Sequence, residues 1–299
     1  MNVLGMDIGA GTIKYGVFSQ ELLPLFVAEE KTSRSYPELK TQVLDIMGRL
    51  KKTHDLRAAG IGVPGFISRK EGTIEISPNM LFLNGIALEK EIAAGIALPL
   101  QVENDANAAA LGEFMNLGEP RPDSFVHLTL GSGIGSGIIL GGRIWRGACG
   151  FAAELGHLLV NSQGRACGCG NLGCAETESS EAGIVKSFQE FSGSTAATSA
   201  KDIFQLWQEG VGPARRAFER AGMYLGVLFH QLVYALNPEW ITIGGGVAAA
   251  GKALLRPARE ELSRRVIAKA FACTRIEPAR LGNKAGMTGA AALARELLP

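Results

Sequence analysis

Two stretches of the chain repeat one design, MDIGAGTIKYGVF at 6–18 and LTLGSGIGSGIIL at 128–140. Each sets glycines and a hydroxyl residue between two apolar runs of strand length, so each half of the chain opens on the same strand, glycine loop and strand. Backbone N–H groups in such a loop can approach and cradle phosphate oxygens. As plain hairpins, the same glycines would serve only to supply positive φ. Two loops of this kind facing each other would hold a polyphosphate. Asp7 lies inside the first strand, and a carboxylate beside a phosphate loop commonly holds Mg²⁺.

Around these units the pattern predicts an α/β chain. Strand segments VLGMDI, IKYGVF and LFVAEE fill residues 3–31, and Leu39, Val43, Ile46, Met47 and Leu50 give 36–53 helical spacing. Strands follow at RAAGIGV, TIEI and PLQVE (99–103), with helices near 86–94 and at 106–117. EPRPD (119–123) reads as a crossing between domains. Beyond it FVHLTL, SGIIL and RIW restart the strand-rich opening. Helices are then predicted at 179–191, 202–208, 213–236, 250–268 and 285–297, with the strand WITI leading into the glycine cluster ITIGGGVA (241–248). That cluster suits close contact with a flat base or ribose, or is a plain strand-to-helix turn.

With 299 residues, 46% of them hydrophobic, the chain can bury a large core. A net charge of +1 argues against a dedicated nucleic-acid or anionic-membrane surface, so small neutral or anionic ligands are the expected partners. The opening MNVLGMDIGAG has no basic n-region before an apolar run, and no stretch approaches the roughly 18 apolar residues of a membrane span. A cytoplasmic protein is expected. No GxxxxGK[ST] occurs; GIGVPG (60–65) and GCGNLG (168–173) fit GxGxxG, but the first meets Pro64 and the second is threaded with cysteines, so neither signals a dinucleotide.

VENDANAAALGE (102–113) puts Asn104 and Asp105 where a strand gives way to a helix, the edge at which ligands bind in open α/β sheets. Asp105 is a candidate general base, taking a hydroxyl proton during phosphoryl transfer. The competing role is a helix N-cap, for which Asp and Asn are both favoured.

RACGCGNLGCAE (165–176) holds three of the five cysteines, Cys167, Cys169 and Cys174. An odd total in a long chain argues against a disulfide framework. Three thiolates at C-x-C-x₄-C need a fourth ligand for tetrahedral Zn²⁺, and His157, in AELGHLLV, is the nearest histidine. Loose redox thiols are the alternative. Glu154 and Glu176 flank the ligands, so a metal here would also fix two carboxylates, which suits a polyol.

The order DIGxG, ENDANAAALGE, LTLGSGIGSGII, GFAAELGHL, CGCGNLGCAE and IGGGV resembles the ROK family of bacterial sugar kinases and sugar-responsive repressors, from Met6 to Leu293. The resemblance implies two actin-like ATPase (ribonuclease-H-like) domains flanking a cleft. Residues 1–118 would form a smaller domain, with the C-terminal helix 286–299 packing back on it, and 119–285 a larger one carrying the zinc loop and adenosine site. It implies Asp105 as base toward a sugar hydroxyl; Gly65, Asn79, Asn104, Glu154, His157 and Glu176 as sugar contacts; and His157, Cys167, Cys169 and Cys174 as zinc ligands. It places Gly9, Gly11 and Thr12 in the first phosphate loop, Gly131, Ser132 and Gly133 in the second, Gly245 and Gly246 near the adenosine, and Asp7 at the metal.

Two departures stand out. Ala10 replaces the usual glycine of DIGG, and Lys284 stands where an acid is commoner. The spacing from Asp7 to Lys14 is shared by ATP-dependent members and polyphosphate glucokinases, but polyphosphate users generally lack the cysteine cluster, so ATP is the expected donor. A repressor would need a helix-turn-helix domain ahead of the first strand, for which residues 1–2 leave no room. The expectation is an ATP- and Mg²⁺-dependent hexose kinase, a homodimer with structural Zn²⁺. Glucose is the first substrate expected, with N-acetylmannosamine, N-acetylglucosamine, fructose and allose as alternatives.

Overall fold

The computed structural model describes residues 1–68 and 70–299. The first half runs β1 (Asn2–Ile8), β2 (Thr12–Phe18), β3 (Pro24–Lys31), α1 (Tyr36–Thr53), β4 (Leu56–Val63), the short pair β5 (Phe66–Ile67) and β6 (Ile74–Ile76), α2 (Leu88–Ile96), β7 (Leu100–Asn104) and α3 (Asp105–Met115). The second runs β8 (Ser124–Leu130), β9 (Ile134–Leu140), β10 (Arg143–Ile144), α4 (Ala175–Ser179), α5 (Glu181–Ser192), α6 (Ala200–Gln208), α7 (Gly212–Leu236), β11 (Trp240–Gly244), α8 (Lys252–Arg265), α9 (Ala268–Cys273), β12 (Arg275–Pro278) and α10 (Ala285–Arg295).

The restart read in the sequence is a duplication of topology. One sheet has the order β3-β2-β1-β4-β7 and the other β10-β9-β8-β11-β12. In each, the strands flanking the glycine loop pair antiparallel, and the later strands add in parallel. β1 is buried along most of its length because helices cover both faces of its sheet. On one side α1 buries Leu39, Val43, Ile46, Met47 and Leu50, the residues whose spacing predicts it.

The other side is covered by α10, which arrives from the far end of the chain. A side chain at Gly5 or Gly60 would land on the carbonyl of Met287 or Ala290, so glycine in β1 and β4 is what lets the helix lie on the strands. α3 does the converse. It follows β7 of the first sheet, yet packs Ala106 and Ala110 against Gly135 and Gly137 of β9 in the second. The two helices also touch each other where Gly112 and Gly289 leave no room for a Cβ.

Three local differences from the sequence reading have physical causes. The helix predicted over 179–191 is two helices, α4 and α5, broken at Ser180, whose hydroxyl accepts from Gly183 N–H at 3.3 Å and caps the second. The helix predicted over 250–268 begins at Lys252, after a 3₁₀ turn (Gly246–Ala250), and ends at Arg265. β12 was not predicted. It is an edge strand with one buried hydrophobic, Ile276, and owes its conformation to pairing with β11 rather than to its own pattern.

Candidate active site

Asp7, Pro64, Asn104, Thr129 and Gly244 lie at or just beyond the carboxyl ends of β1, β4, β7, β8 and β11, and all line one cleft of about 460 Å³. α3 and α10 begin on the same cleft, at Asp105 and Ala285. Two helix N-termini aimed at one space favour an anion there.

Asp105 and Asn104 divide the roles that the sequence left open between them. Asn104 is the N-cap: its Oδ1 accepts from Asn107 N–H at 3.0 Å, and its Nδ2 donates to the Gly65 carbonyl at 3.0 Å. Asp105 is thus free of capping duty. Its Oδ1 accepts from Ala106 N–H at 2.8 Å, leaving Oδ2 for a ligand. Burial pushes the Asp105 pKa above the ordinary aspartate value, and the backbone N–H groups of Ala106 and Asp105 oppose the rise. Gly65 has φ +126°, and a Cβ there would meet the Ile76 carbonyl, so the loop after β4 can turn past Asn104 only with glycine. Asn79 lies exposed on the rim.

Asp7 faces Asp105 across the cleft floor. Burial pushes its pKa to about 6, the Asp105 charge adding to the rise and Lys14 opposing it. The carboxylate lies against Gly286 in the first turn of α10, where a Cβ would come within 2.5 Å of Oδ2. A half-buried carboxylate that shares the cleft with the second glycine loop and a lysine fits a hydrated Mg²⁺.

Behind the second glycine loop, His127 is buried with Nδ1 at 3.0 Å from Thr242 Oγ1 and Nε2 at 3.1 Å from Thr129 Oγ1. Burial lowers its pKa to about 4, so the ring is neutral at pH 7. Asp7 and His127 then have opposite linkage signs. Between about pH 6.5 and 4 the unfolded chain protonates His127 and the folded one does not, so acidification costs stability. Between about pH 6 and 4 the folded chain protonates Asp7 first, so acidification adds stability. Each amounts to ~3 kcal/mol at 1.36 kcal/mol per unit, and they offset each other. Asp7→Asn is therefore expected to raise unfolding free energy at pH 7 by ~1–3 kcal/mol and to expose an acid-side loss of similar size. Urea titrations at pH 7 and 4.5 without Mg²⁺ or nucleotide check both; a variant no more stable than wild type at pH 7 would contradict the assignment.

Two further acids of the cleft, Glu154 and Glu176, are held by β9 and the cysteine loop. The Ser136 hydroxyl donates to the Ala153 carbonyl and accepts from Leu155 N–H at 3.1 Å, bracketing Glu154. Ala153 itself is in the left-handed region, φ +69°, a strained setting for a residue with a Cβ. Burial raises the Glu154 pKa, with Asp105 and Glu176 adding to the rise and His157 opposing it. Glu176 Oε2 accepts from Ile134 N–H at 2.9 Å, and any side chain at Gly133 would strike that carboxylate. One acid thus ties α4 to the second glycine loop.

His157, Cys167, Cys169 and Cys174 bring one ligand atom each to within 4.8 Å of one another. Cys167 Sγ is 3.5 Å from His157 Nδ1, and Cys169 Sγ is 3.6 Å from Cys174 Sγ. Four ligands at Zn²⁺ distances and tetrahedral angles sit roughly 3.5–3.8 Å apart, whereas a disulfide needs about 2.05 Å. His157 Nε2 stays on the Glu154 side, 4.0 Å from Oε2.

Not every expected residue reaches the cavity wall. Gly131, Ser132, Gly133 and Gly245 line it; Gly9, Gly11, Thr12 and Gly246 are not among its lining residues. The first loop is closed by Gly9 N–H donating to Thr12 O at 3.0 Å and by Thr32, which bonds the Gly9 and Gly11 carbonyls. Ala10 is exposed and is not one of the positive-φ residues, so its methyl is tolerated there. Lys284 is exposed, and nothing in the structure explains it. Residues that the sequence reading left without a role also line the cleft: Lys14, Glu113, His127 and Ser136. Glu113 accepts from Arg280 N–H at 2.9 Å and Leu281 N–H at 2.7 Å, fixing the loop before α10; it is the last letter of VENDANAAALGE.

A duplicated five-stranded sheet with its ligand cleft between the halves is the actin-like ATPase fold. The chain belongs to the ROK family, whose sequence profile matches residues 3–297. It is 32% identical to a glucokinase of Halalkalibacterium halodurans, over 98% of this chain and 94% of that one. Among solved structures, a ROK family glucokinase from Streptomyces griseus in complex with glucose and AMPPNP superposes with a TM-score of 0.83 at 31% identity, covering 99% of this chain and all of that one. The ROK hexokinase of Thermus thermophilus superposes with a TM-score of 0.86 at 32% identity, over 98% of both chains.

Proposed function

We propose that this protein is a hexose kinase that transfers the γ-phosphoryl group of ATP to a sugar hydroxyl, with glucose as the first substrate to test. The observation that carries the reading is the convergence on one cleft of a half-buried aspartate with a carboxylate oxygen left for a ligand, the Gly131–Gly133 loop and the Glu154, His157 and Glu176 trio. The relatives support ATP as donor, one of them having been solved with glucose and AMPPNP.

In this reading Asp105 Oδ2 takes the proton of the attacking hydroxyl, and burial makes it a stronger base than a surface aspartate. Asn104, held at both ends of its amide, orients the sugar beside it, with Gly65 and Asn79. Glu154, His157 Nε2 and Glu176 accept and donate hydrogen bonds to the remaining hydroxyls. The backbone of Gly131, Ser132 and Gly133 and the helix N-termini meet the phosphates, and Lys14 adds positive charge. Gly245, at φ +84° against the Leu130 backbone, gives the adenosine a flat wall with Gly246 behind it. Asp7 would hold Mg²⁺, which when bound neutralises phosphate charge. His157, Cys167, Cys169 and Cys174 would hold Zn²⁺, which fixes the loop and does no chemistry.

Hexose-dependent ADP release across glucose, N-acetylglucosamine, N-acetylmannosamine, fructose and allose, ranked by kcat/KM, tests the proposal. Glucose is expected to lead. An N-acetylhexosamine in first place would change the substrate, and no turnover on any of them would overturn the kinase.

A further inference from the structure

α4 is only five residues long, and it carries Glu176. A single helical turn has no cooperative stability of its own, so something outside it must set where that carboxylate points. At its start Cys174 is the N-cap, and Ala175 N–H donates to Leu158 O at 2.9 Å. At its far end stands Arg165, two residues ahead of Cys167 and itself without a role in metal binding.

The Arg165 guanidinium reaches across the elbow between α4 and α5. Nη1 donates to the carbonyls of Thr177 at 2.9 Å and Gly183 at 3.2 Å, and to Glu178 Oε2 at 3.2 Å. Nη2 donates to Ser187 Oγ at 2.9 Å and Glu190 Oε2 at 3.0 Å, and Nε to Glu190 Oε1 at 3.2 Å. Glu178 is fully buried, shares its charge with Arg165 and Arg220, and accepts from Asn161 Nδ2 at 3.0 Å. Thr177 and Glu178 are the two residues directly after Glu176.

Only a planar fork can serve two carbonyls, a hydroxyl and two carboxylates at once; a lysine ammonium has one nitrogen and cannot span both helices. The bland reading is an ion-pair network that merely stabilises the larger half of the molecule. Its placement says more, because every hydrogen-bond partner of the Arg165 guanidinium lies on α4 or α5. We propose that Arg165 is a positioning residue of the hexose site: it closes the α4–α5 elbow and thereby aims Glu176, independently of the metal. This rests on Glu176 being a hexose contact.

The test compares Arg165→Lys, Glu190→Gln and Glu176→Gln with wild type, reading KM for glucose, KM for ATP and zinc per chain. Arg165→Lys is expected to raise the glucose KM about tenfold or more, with the ATP KM within about twofold and zinc unchanged. Glu190→Gln, a milder change at a half-exposed partner, is expected to move the glucose KM in the same direction by less, and decides the matter if the lysine variant does not fold. A glucose KM unchanged in both variants while Glu176→Gln raises it would overturn the clamp alone. An unchanged value in all three would overturn the role of Glu176 and the clamp with it. A joint rise of both KM values with zinc loss would reduce Arg165 to a structural residue and also overturn the proposal.

Discussion

Asp105→Asn is expected to lower kcat by roughly 10²–10⁴-fold while hexose affinity stays within a few-fold of wild type. The substitution keeps size and hydrogen-bonding reach but removes the carboxylate proposed to take the hydroxyl proton. Asn104 already performs the capping, so α3 should start at the same place in the variant. The Ala106 N–H that now meets Asp105 Oδ1 can bond an amide oxygen equally well. Stability should rise slightly, because a buried charge beside Asp7 is lost and Asp7 is relieved of its repulsion. Single-turnover phosphorylation beside calorimetric sugar binding separates the effects. Turnover within about fivefold of wild type would remove Asp105 from the chemistry.

The second large effect concerns the cysteine loop. Stripping metal from the His157, Cys167, Cys169 and Cys174 site is expected to raise the glucose KM by roughly 10–100-fold, since displacement of about 1 Å in a positioning group costs on that scale. Without a metal on Nδ1, the His157 ring loses both its tautomer and its orientation, and Nε2 no longer presents a fixed partner to the sugar. Cys174 would no longer anchor the first turn of α4. The melting temperature is expected to fall on the order of 10 °C, the size of losing a bound metal worth several kcal/mol. Metal analysis before and after chelation, with Zn²⁺ added back, checks both effects. A stripped protein that keeps its glucose KM within twofold would leave the cluster no part in sugar binding.

Most of the fold was legible because its elements are strongly patterned. The five buried residues of α1 recur at helical spacing, and the two strand–glycine–strand units announce the duplication. What stayed hidden was set by neighbours. β12 has one buried hydrophobic and no alternation to read. The break at Ser180 follows from a cap that competes with a continuous apolar pattern.

Within the site, residue types with scarce alternatives were readable: three cysteines at zinc spacing, a lone nearby histidine, and an aspartate at a strand end. Residues whose meaning depends on a distant partner were not. Ser136 matters because Ala153 and Leu155 fold onto it, and Glu113 because Arg280 and Leu281 do. Arg165, in plain view beside the cysteines, could not be weighted before α5 supplied its partners.

The exchange of α3 and α10 between the two sheets has a consequence for how the molecule comes apart. Each sheet has one face roofed by a helix that the chain delivers directly after building the other sheet. Neither half is thus a self-contained foldon: severed between the halves, the first would keep strands whose glycines, shaped for α10, lie bare to water. Like two hands clasped by crossed thumbs, the halves should melt together in one transition.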